Sequence, residues 1–233
     1  MITTPRAAVA VAVDVSVSAA LAVPVNGMRL LDLFCCAGGA AVGYRLAGFE
    51  VTGVDIRPQP RYPFTFVQAD ALEVLGDPVF LAGFDAVHAS PTCQRKARVT
   101  AWRGNRDDHP DTLSPTLRAL EHLSVPWVVE NVPEAADQLT PDYLLCGTQF
   151  GLRVRRHRIF QVGNWSSYSL LPPCRCYRNR DLVPFGHKHE RAFADAMGCT
   201  WMTNIEGRQA IPPAYTRHIG NALAHALTER KVA

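Results

Sequence analysis

RLLDLFCCAGGAAVGYRLAGF, residues 29–49, decides the fold. Its first six residues are an apolar run of strand length, and CCAGG (Cys35 to Gly39) is a glycine-containing turn. AAVGYRLAGF then carries helical spacing and stops at Gly48. A strand feeding a helix through a tight turn is the opening of a βα unit. The same pattern recurs outward. EVTGVDI (Glu50 to Ile56), FTFVQAD (Phe64 to Asp70), FDAVHAS (Phe84 to Ser90) and PWVVEN (Pro126 to Asn131) read as strands. The last is entered from a helix near Thr112 to Leu123, and HRIFQVG (His157 to Gly163) is a later strand. ERAFADAMG (190–198) is helical, and PPAYTRHIGNALAHALTER (212–230) is a loop entrance followed by a long terminal helix. Strands alternating with helix-length segments predict an α/β fold with a largely parallel sheet.

Composition is ordinary for a globular protein: 233 residues, 48% apolar and 19% charged, enough for one well-buried domain. The net charge of +3 says little, but its distribution says more. From Gly151 to Arg191, nine Lys/Arg face only Asp181 and Glu190. A second basic cluster (Arg95, Lys96, Arg98, Arg103 and Arg106) follows PTCQ, residues 91–94. Basic stripes suit a polyanionic substrate; a solvated basic face is the competing reading. Seven cysteines, odd in number and irregular in spacing, suggest a reducing, cytoplasmic setting. Ala7 to Val25 is a low-complexity Ala/Val/Ser run broken by Asp14, too short and too interrupted for a membrane span. SAALA within it resembles a signal-peptidase site, but Arg6 is the only positive side chain ahead of the run. Residues 1–27 are therefore expected to be a disordered extension, with the fold beginning near Met28.

Each expected strand ends in a polar or reactive residue, as a site along one edge of an open sheet requires. Cys93 follows the FDAVHAS strand, beside Arg95, Lys96 and Arg98, whose charge favours the reactive thiolate. A lone cysteine is otherwise a small buried hydrophobe. Glu130 ends the next strand, where burial would raise its pKa and fit it for acid chemistry on a heterocycle. The glycine turn lacks the G-x-G-x-x-G of a dinucleotide site. Asp55 and Asp70, after the second and third strands, instead suit a ribose diol and an adenine amino group. That pattern points to a nucleoside cofactor without phosphates, such as S-adenosylmethionine.

DLFCCAGGAAVGYRLAGF, PTCQ, ENV, RRHRIF and IGNA stand in the order found in the DNA cytosine-5 methyltransferase family. The chain resembles that family from about Arg29 to Leu227. The CCAGG turn and the ending AIPPAYTRHIGNAL are most similar to compact members from phages and prophages, which serve modification systems. The resemblance implies a Rossmann-like fold with a mostly parallel seven-stranded sheet. It also implies a catalytic and cofactor-binding core over 28–163, a reduced target-recognition region over 164–200, and a C-terminal part over 201–233 that completes the catalytic domain. Cys93 would attack carbon 6 of a flipped cytosine, and Glu130 would bind the ring nitrogen and amine. Arg156 and Arg158 would clamp the base and its phosphate. Phe34, Gly38, Gly39, Asp55, Ile56, Asp70 and Asn221 would hold S-adenosylmethionine. Gln94, Arg95, Lys96, Arg98, Asn131 and Arg155 would contact DNA. The expected partner is double-stranded DNA, bound by a monomer with no membrane association.

Three positions depart from that pattern. Thr92 stands where proline is usual, and is expected to loosen the approach to Cys93. Cys36 replaces a glycine in the first motif, and Val154 replaces a glutamine before the paired arginines. The reduced recognition region leaves room for a site of about two to four base pairs, since few side chains suffice for direct readout. Cys174-x-Cys176 and His187-x-His189 have residue types that bind zinc. C-x-C is less usual than C-x-x-C, so loop cysteines and surface histidines, with no metal, is the expectation. Competing functions are a transfer-RNA cytosine-5 methyltransferase and a catalytically silent DNA-binding relative. A different one-carbon donor acting at the same carbon is a further alternative.

Overall fold

The computed structural model describes residues 16–92, 111–166 and 171–232. Five parallel strands form most of the sheet: β1 (Arg29–Leu33), β2 (Glu50–Asp55), β3 (Thr65–Gln68), β4 (Ala86–Ala89) and β5 (Trp127–Asn131). β6 (Tyr143–Leu145) and β7 (Arg158–Gly163) complete it, in the order β3-β2-β1-β4-β5-β7-β6. β7 is antiparallel to both β5 and β6. This is the expected seven-stranded, mostly parallel, Rossmann-like sheet. Only β6, three residues long, escaped the sequence reading. It is too short to show a period.

Both faces of β1, β2, β4 and β5 are covered, which is why they read as continuous apolar runs rather than alternations. The helices are α1 (Val17–Ala22), α2 (Gly39–Leu46), α3 (Ala71–Leu75), α4 (Pro78–Leu81), α5 (Leu113–Glu121), α6 (Glu190–Ala196), α7 (Asn204–Gln209) and α8 (Pro213–Val232). On one face Leu30, Ala86 and Val128 pack under α2 and α8, through Tyr44, Tyr215, Ile219 and Leu223. On the other, Leu31, Leu33, Val87 and Val129 pack against Leu75, Leu113 and Leu120. Asp32, His88 and Glu130 alternate onto the first face, so a polar row runs under α2 among apolar neighbours.

Residues 16–27 do not match the expected disordered extension. Ser16 caps α1 by accepting from the Ala19 amide, and Ala20 is buried against Val42 and Leu46 of α2. The Asn26 amide donates to the Gly48 carbonyl, and its side chain donates to the Ala47 carbonyl. Low complexity hid a helix because Ala and Val can still fill a groove left between larger side chains. Residues 1–15 lie outside the described residues. No described helix is long and apolar enough to cross a membrane.

α8 lies along α2, starting where α2 starts. Thr216 Oγ1 donates to the Ala40 carbonyl at 2.8 Å, and Gly220 packs on Tyr44 and Ala47 four residues further along α8. The helices approach this closely because Gly43 has no side chain. A Cβ there would stand 2.0 Å from Thr216 Oγ1 and 2.2 Å from the Pro213 carbonyl oxygen. Gly43→Ala should therefore destabilise the fold by about 2 kcal/mol or more, the overpacking cost exceeding the ~1 kcal/mol gain in helix propensity. Urea denaturation would measure it, and an unchanged or raised midpoint would overturn the packing argument.

Candidate active site

The carboxyl ends of β1, β4 and β5 converge with the start of β7. Glu130 is 5% exposed on β5, and the guanidinium of Arg158 on β7 pairs with it at 2.7 Å. Burial pushes the Glu130 carboxyl up from its ordinary range, while Arg158, Arg156 and a hydrogen bond from Ser90 oppose that rise. Register explains Ser90: Ala89 pairs with Val129, so the next residue of each chain segment brings Ser90 beside Glu130. Behind Ser90 stands His88, whose Nε2 is 2.8 Å from Ser90 Oγ and whose Nδ1 is 3.0 Å from Tyr44 Oη. Desolvation lowers the His88 pKa to about 3, so the ring is neutral, with one donor and one acceptor nitrogen. The tautomer protonated at Nε2 lets Tyr44 donate to His88, His88 to Ser90, and Ser90 to Glu130. The sequence reading used none of Tyr44, His88 and Ser90, although a histidine inside the apolar run AVHA was a visible signal.

Asn131 and Arg156 were expected to meet DNA and the target base, and they turn inward instead. Asn131 is 1% exposed; its amide donates to the Pro91 carbonyl at 3.1 Å and its Oδ1 accepts from the Val132 amide. With both arms occupied it braces the loop that leads to Cys93. Arg156 is buried, donating to the carbonyls of Arg208 and Ala210 at 2.8 and 2.9 Å. It anchors the chain before α8, and its charge acts on Glu130. Arg155 remains exposed, stacked 4.4 Å over the Tyr177 ring and donating to its hydroxyl at 2.9 Å. Val154 is fully buried beside Phe193, Met197 and Met202, so no pocket residue is missing at that position. Cys93, Gln94, Arg95, Lys96 and Arg98 lie outside the described residues.

Thr92 is itself held, while the approach to Cys93 lies outside the described residues. Its amide donates to Thr112 Oγ1 at 3.0 Å, and the two hydroxyls meet at 2.8 Å. Proline has no N–H and could not make the first bond. Residues 92 and 112 are thereby clasped at the two roots of the intervening segment.

The cofactor turn is held by its own chain. Phe34, Cys36 and Gly38 take φ values of 57°, 45° and 82°, in the left-handed region. At Cys36 this costs roughly 1–2 kcal/mol, which a glycine would avoid. Asp55 meets that cost, its Oδ2 accepting from the Cys36 amide and its Oδ1 from the Arg57 amide, each at 3.0 Å. Asp70 Oδ1 caps α3 by accepting from the Leu72 amide at 2.7 Å. Gly38 and Gly39 make room for neighbouring protein atoms. A Cβ on Gly38 would meet Pro63 at 2.9 Å, and one on Gly39 the Ile211 carbonyl at 2.5 Å. Asn221 is exposed on α8, one residue beyond the Gly220 contact with Tyr44 and Ala47 of α2.

The remaining residues fit a nucleoside cofactor. Ile56 stands 63% exposed directly after Asp55, an apolar platform at the strand end, with Phe34 half-buried at the end of β1. Each Asp55 and Asp70 oxygen keeps a second lone pair for a donor. Deeper in, Asp32 is fully buried against the Tyr62 phenol, and burial raises its pKa well above the carboxylate range. A cleft of about 310 Å³ lies between Thr148, Arg153, Arg175 and Arg178. Beside it Cys174 and Cys176 gather with Cys146 and His157, their ligand atoms within 4.8 Å of one another. His189, paired with these cysteines in the zinc alternative, is exposed and outside that group.

No family profile and no curated protein matches the sequence. Among solved structures, the chain is similar to a Spodoptera frugiperda DNMT2 variant at 18% identity and TM-score 0.43, covering 58% of this chain and 49% of that one. It is likewise similar to the S. pombe Dnmt2 methyltransferase, at 18% identity and TM-score 0.42 over 61% and 51%. Monomeric WbdD follows at 16% and 0.35, over 65% and 39%. The chain thus spans about half the length of the Dnmt2 structures, and likenesses this distant add nothing to what the sheet order shows.

Two measurements test this reading of the site. Thr112→Val removes both Thr92 bonds and should cost about 1–2 kcal/mol in urea denaturation, at ~0.5–1.5 per partly exposed bond; a loss near zero would mean the clasp carries no weight. His88 has a folded pKa near 3 against 6.5 unfolded, so its contribution to stability is complete above 6.5 and is lost as pH falls toward 3. Wild type should therefore lose up to about 1.4 kcal/mol per pH unit relative to His88→Asn across that window. A flat difference would show that His88 is charged in the fold.

Proposed function

We propose that this protein transfers a methyl group from S-adenosylmethionine to carbon 5 of cytosine in DNA, through a covalent Cys93 adduct. One observation carries the reading: a buried carboxyl with a raised pKa, Glu130, paired to Arg158 and fed by Ser90 beside the loop that leads to Cys93. The order of PTCQ, ENV, RRHRIF and IGNA along the chain supports it. So does the excess of Lys and Arg over Asp and Glu between Gly151 and Arg191, which suits a polyanion.

Carbon 5 of cytosine is a poor nucleophile, and a thiolate adding at carbon 6 converts the ring into an enamine that can attack a methyl group. Cys93 forms that bond. Electron density displaced toward ring nitrogen 3 is met by Glu130, whose carboxyl is held by burial above its ordinary pKa, which favours the proton-donating form. Arg158 keeps the Glu130 carboxyl in place, and Ser90 occupies its other side. After methyl transfer, loss of the carbon 5 proton to a base expels the Cys93 thiolate and restores the ring. The cofactor supplies an electrophilic methyl on a sulfonium; Phe34, Ile56, Asp55 and Asp70 would hold it. The base must leave the stack to reach these groups, at a cost of roughly a few kcal/mol recovered from contacts in the pocket.

Tritiated methyl transfer to duplex DNA and to transfer RNA, run in parallel, tests the substrate. Label on cytosine in DNA is expected; label on RNA alone would overturn the DNA assignment. Cys93→Ser should abolish trapping on DNA containing 5-fluorocytosine, and Glu130→Gln should lower the methylation rate by ~10²-fold or more. Trapping that survives Cys93→Ser would sink the mechanism.

A further inference from the structure

We propose that Cys146, His157, Cys174 and Cys176 form a structural zinc site that fastens the segment after β7 to the loop end of the β6–β7 hairpin. The four residues come from three stretches of chain, and the sheet brings two of them together. Leu145 pairs with Arg158 across the antiparallel β6–β7 ladder, so the residues just outside that pair, Cys146 and His157, face each other at its end. The irregular segment then lays Cys174 and Cys176 over them. His157 Nε2 stands 3.5 Å from Cys174 Sγ and 3.8 Å from Cys176 Sγ, and all four ligand atoms lie within 4.8 Å. With Zn–S of about 2.3 Å and Zn–N of about 2.05 Å, a tetrahedron has S···N edges of ~3.6 Å and S···S edges of ~3.8 Å. The side chains already stand near the corners of such a figure.

The donor set points to zinc. Three thiolates and one imidazole are borderline-soft ligands, and Cys₃His is a common set for closed structural zinc. Four protein ligands leave no open position for a substrate, so the role is structural. A supporting shell is present: Thr148 Oγ1 donates to Cys146 Sγ at 3.6 Å, lies 3.6 Å from Cys174 Sγ and accepts from the Arg175 amide at 3.1 Å. The C-x-C spacing that argued against zinc becomes unimportant, because the other two ligands come from the hairpin rather than from His187 and His189. The consequence reaches the candidate active site. His157 precedes Arg158, and its carbonyl accepts from Arg158 Nη1 at 2.8 Å, so fixing the imidazole also steadies the guanidinium that holds Glu130. The site stands on its own geometry and does not depend on the proposed reaction.

Elemental analysis of the full chain, purified with reductant, should find about one zinc per chain, lost in Cys174→Ser and in His157→Ala. His157→Cys should retain it, and so should His189→Ala. Removing the metal from wild type with a chelator should lower Tm by ~10 °C or more, and zinc should restore it. Because the variants could fail to fold, the apo wild type is also titrated with cobalt(II), which should give the intense visible bands of a tetrahedral thiolate complex. Less than about a fifth of a zinc per chain with no cobalt spectrum would overturn the site, as would iron or copper in its place. Zinc kept by His157→Ala but lost by His189→Ala would overturn the ligand assignment.

Discussion

Everything at the carboxyl edge of the sheet depends on the buried pair between Glu130 and Arg158. A carboxylate withdrawn from water at 5% exposure is costly unless paired and hydrogen-bonded. β7 supplies the partner because it is slotted antiparallel beside β5, which puts the start of β7 against the end of β5. Ser90 supplies the hydrogen bond because β4 is the other neighbour of β5. The pair therefore exists only if all three strands assemble in register. Burial still wins over the two arginines, so the carboxyl is held above its ordinary pKa, the condition that makes it useful as an acid.

Around that pair the structure uses polar residues mainly to position backbone. Asn131 holds the Pro91 carbonyl, Arg156 holds those of Arg208 and Ala210, Thr112 holds the Thr92 amide, and Asp55 holds the left-handed Cys36. Residues that a motif marks as ligand contacts become braces when their donors and acceptors are used internally. Trp201 does the same from far along the chain, its indole donating to the Ala37 carbonyl at 2.8 Å. The C-terminal part is thus tied to the first turn, and the chain closes over its own opening motif.

Much of the fold was legible because parallel strands buried on both faces are plain apolar runs, separated here by glycine turns and helical spacing. β6 and the short α3, α4 and α7 were not, since three to six residues cannot display a period. α1 was missed for the opposite reason: an Ala/Val/Ser run looks unstructured until the groove beside Val42 and Leu46 is known. Of the candidate site, Glu130 and Arg158 could be read from strand ends and a motif. The inward turn of Arg156 and Asn131, and the exposure of Asn221 on α8, could not.

The sequence by itself determined the α/β class, the strand ends where reactive groups collect, and a cysteine after the fourth strand with a carboxylate at the end of the fifth. These are properties of local pattern, which periodicity and turn chemistry carry. Only the tertiary structure decided which polar residues face a ligand and which face the backbone, and which thiols gather with His157. Those outcomes depend on strand register and on contacts between segments many residues apart. No local pattern encodes them, because a side chain's role is set by the groups that desolvate it.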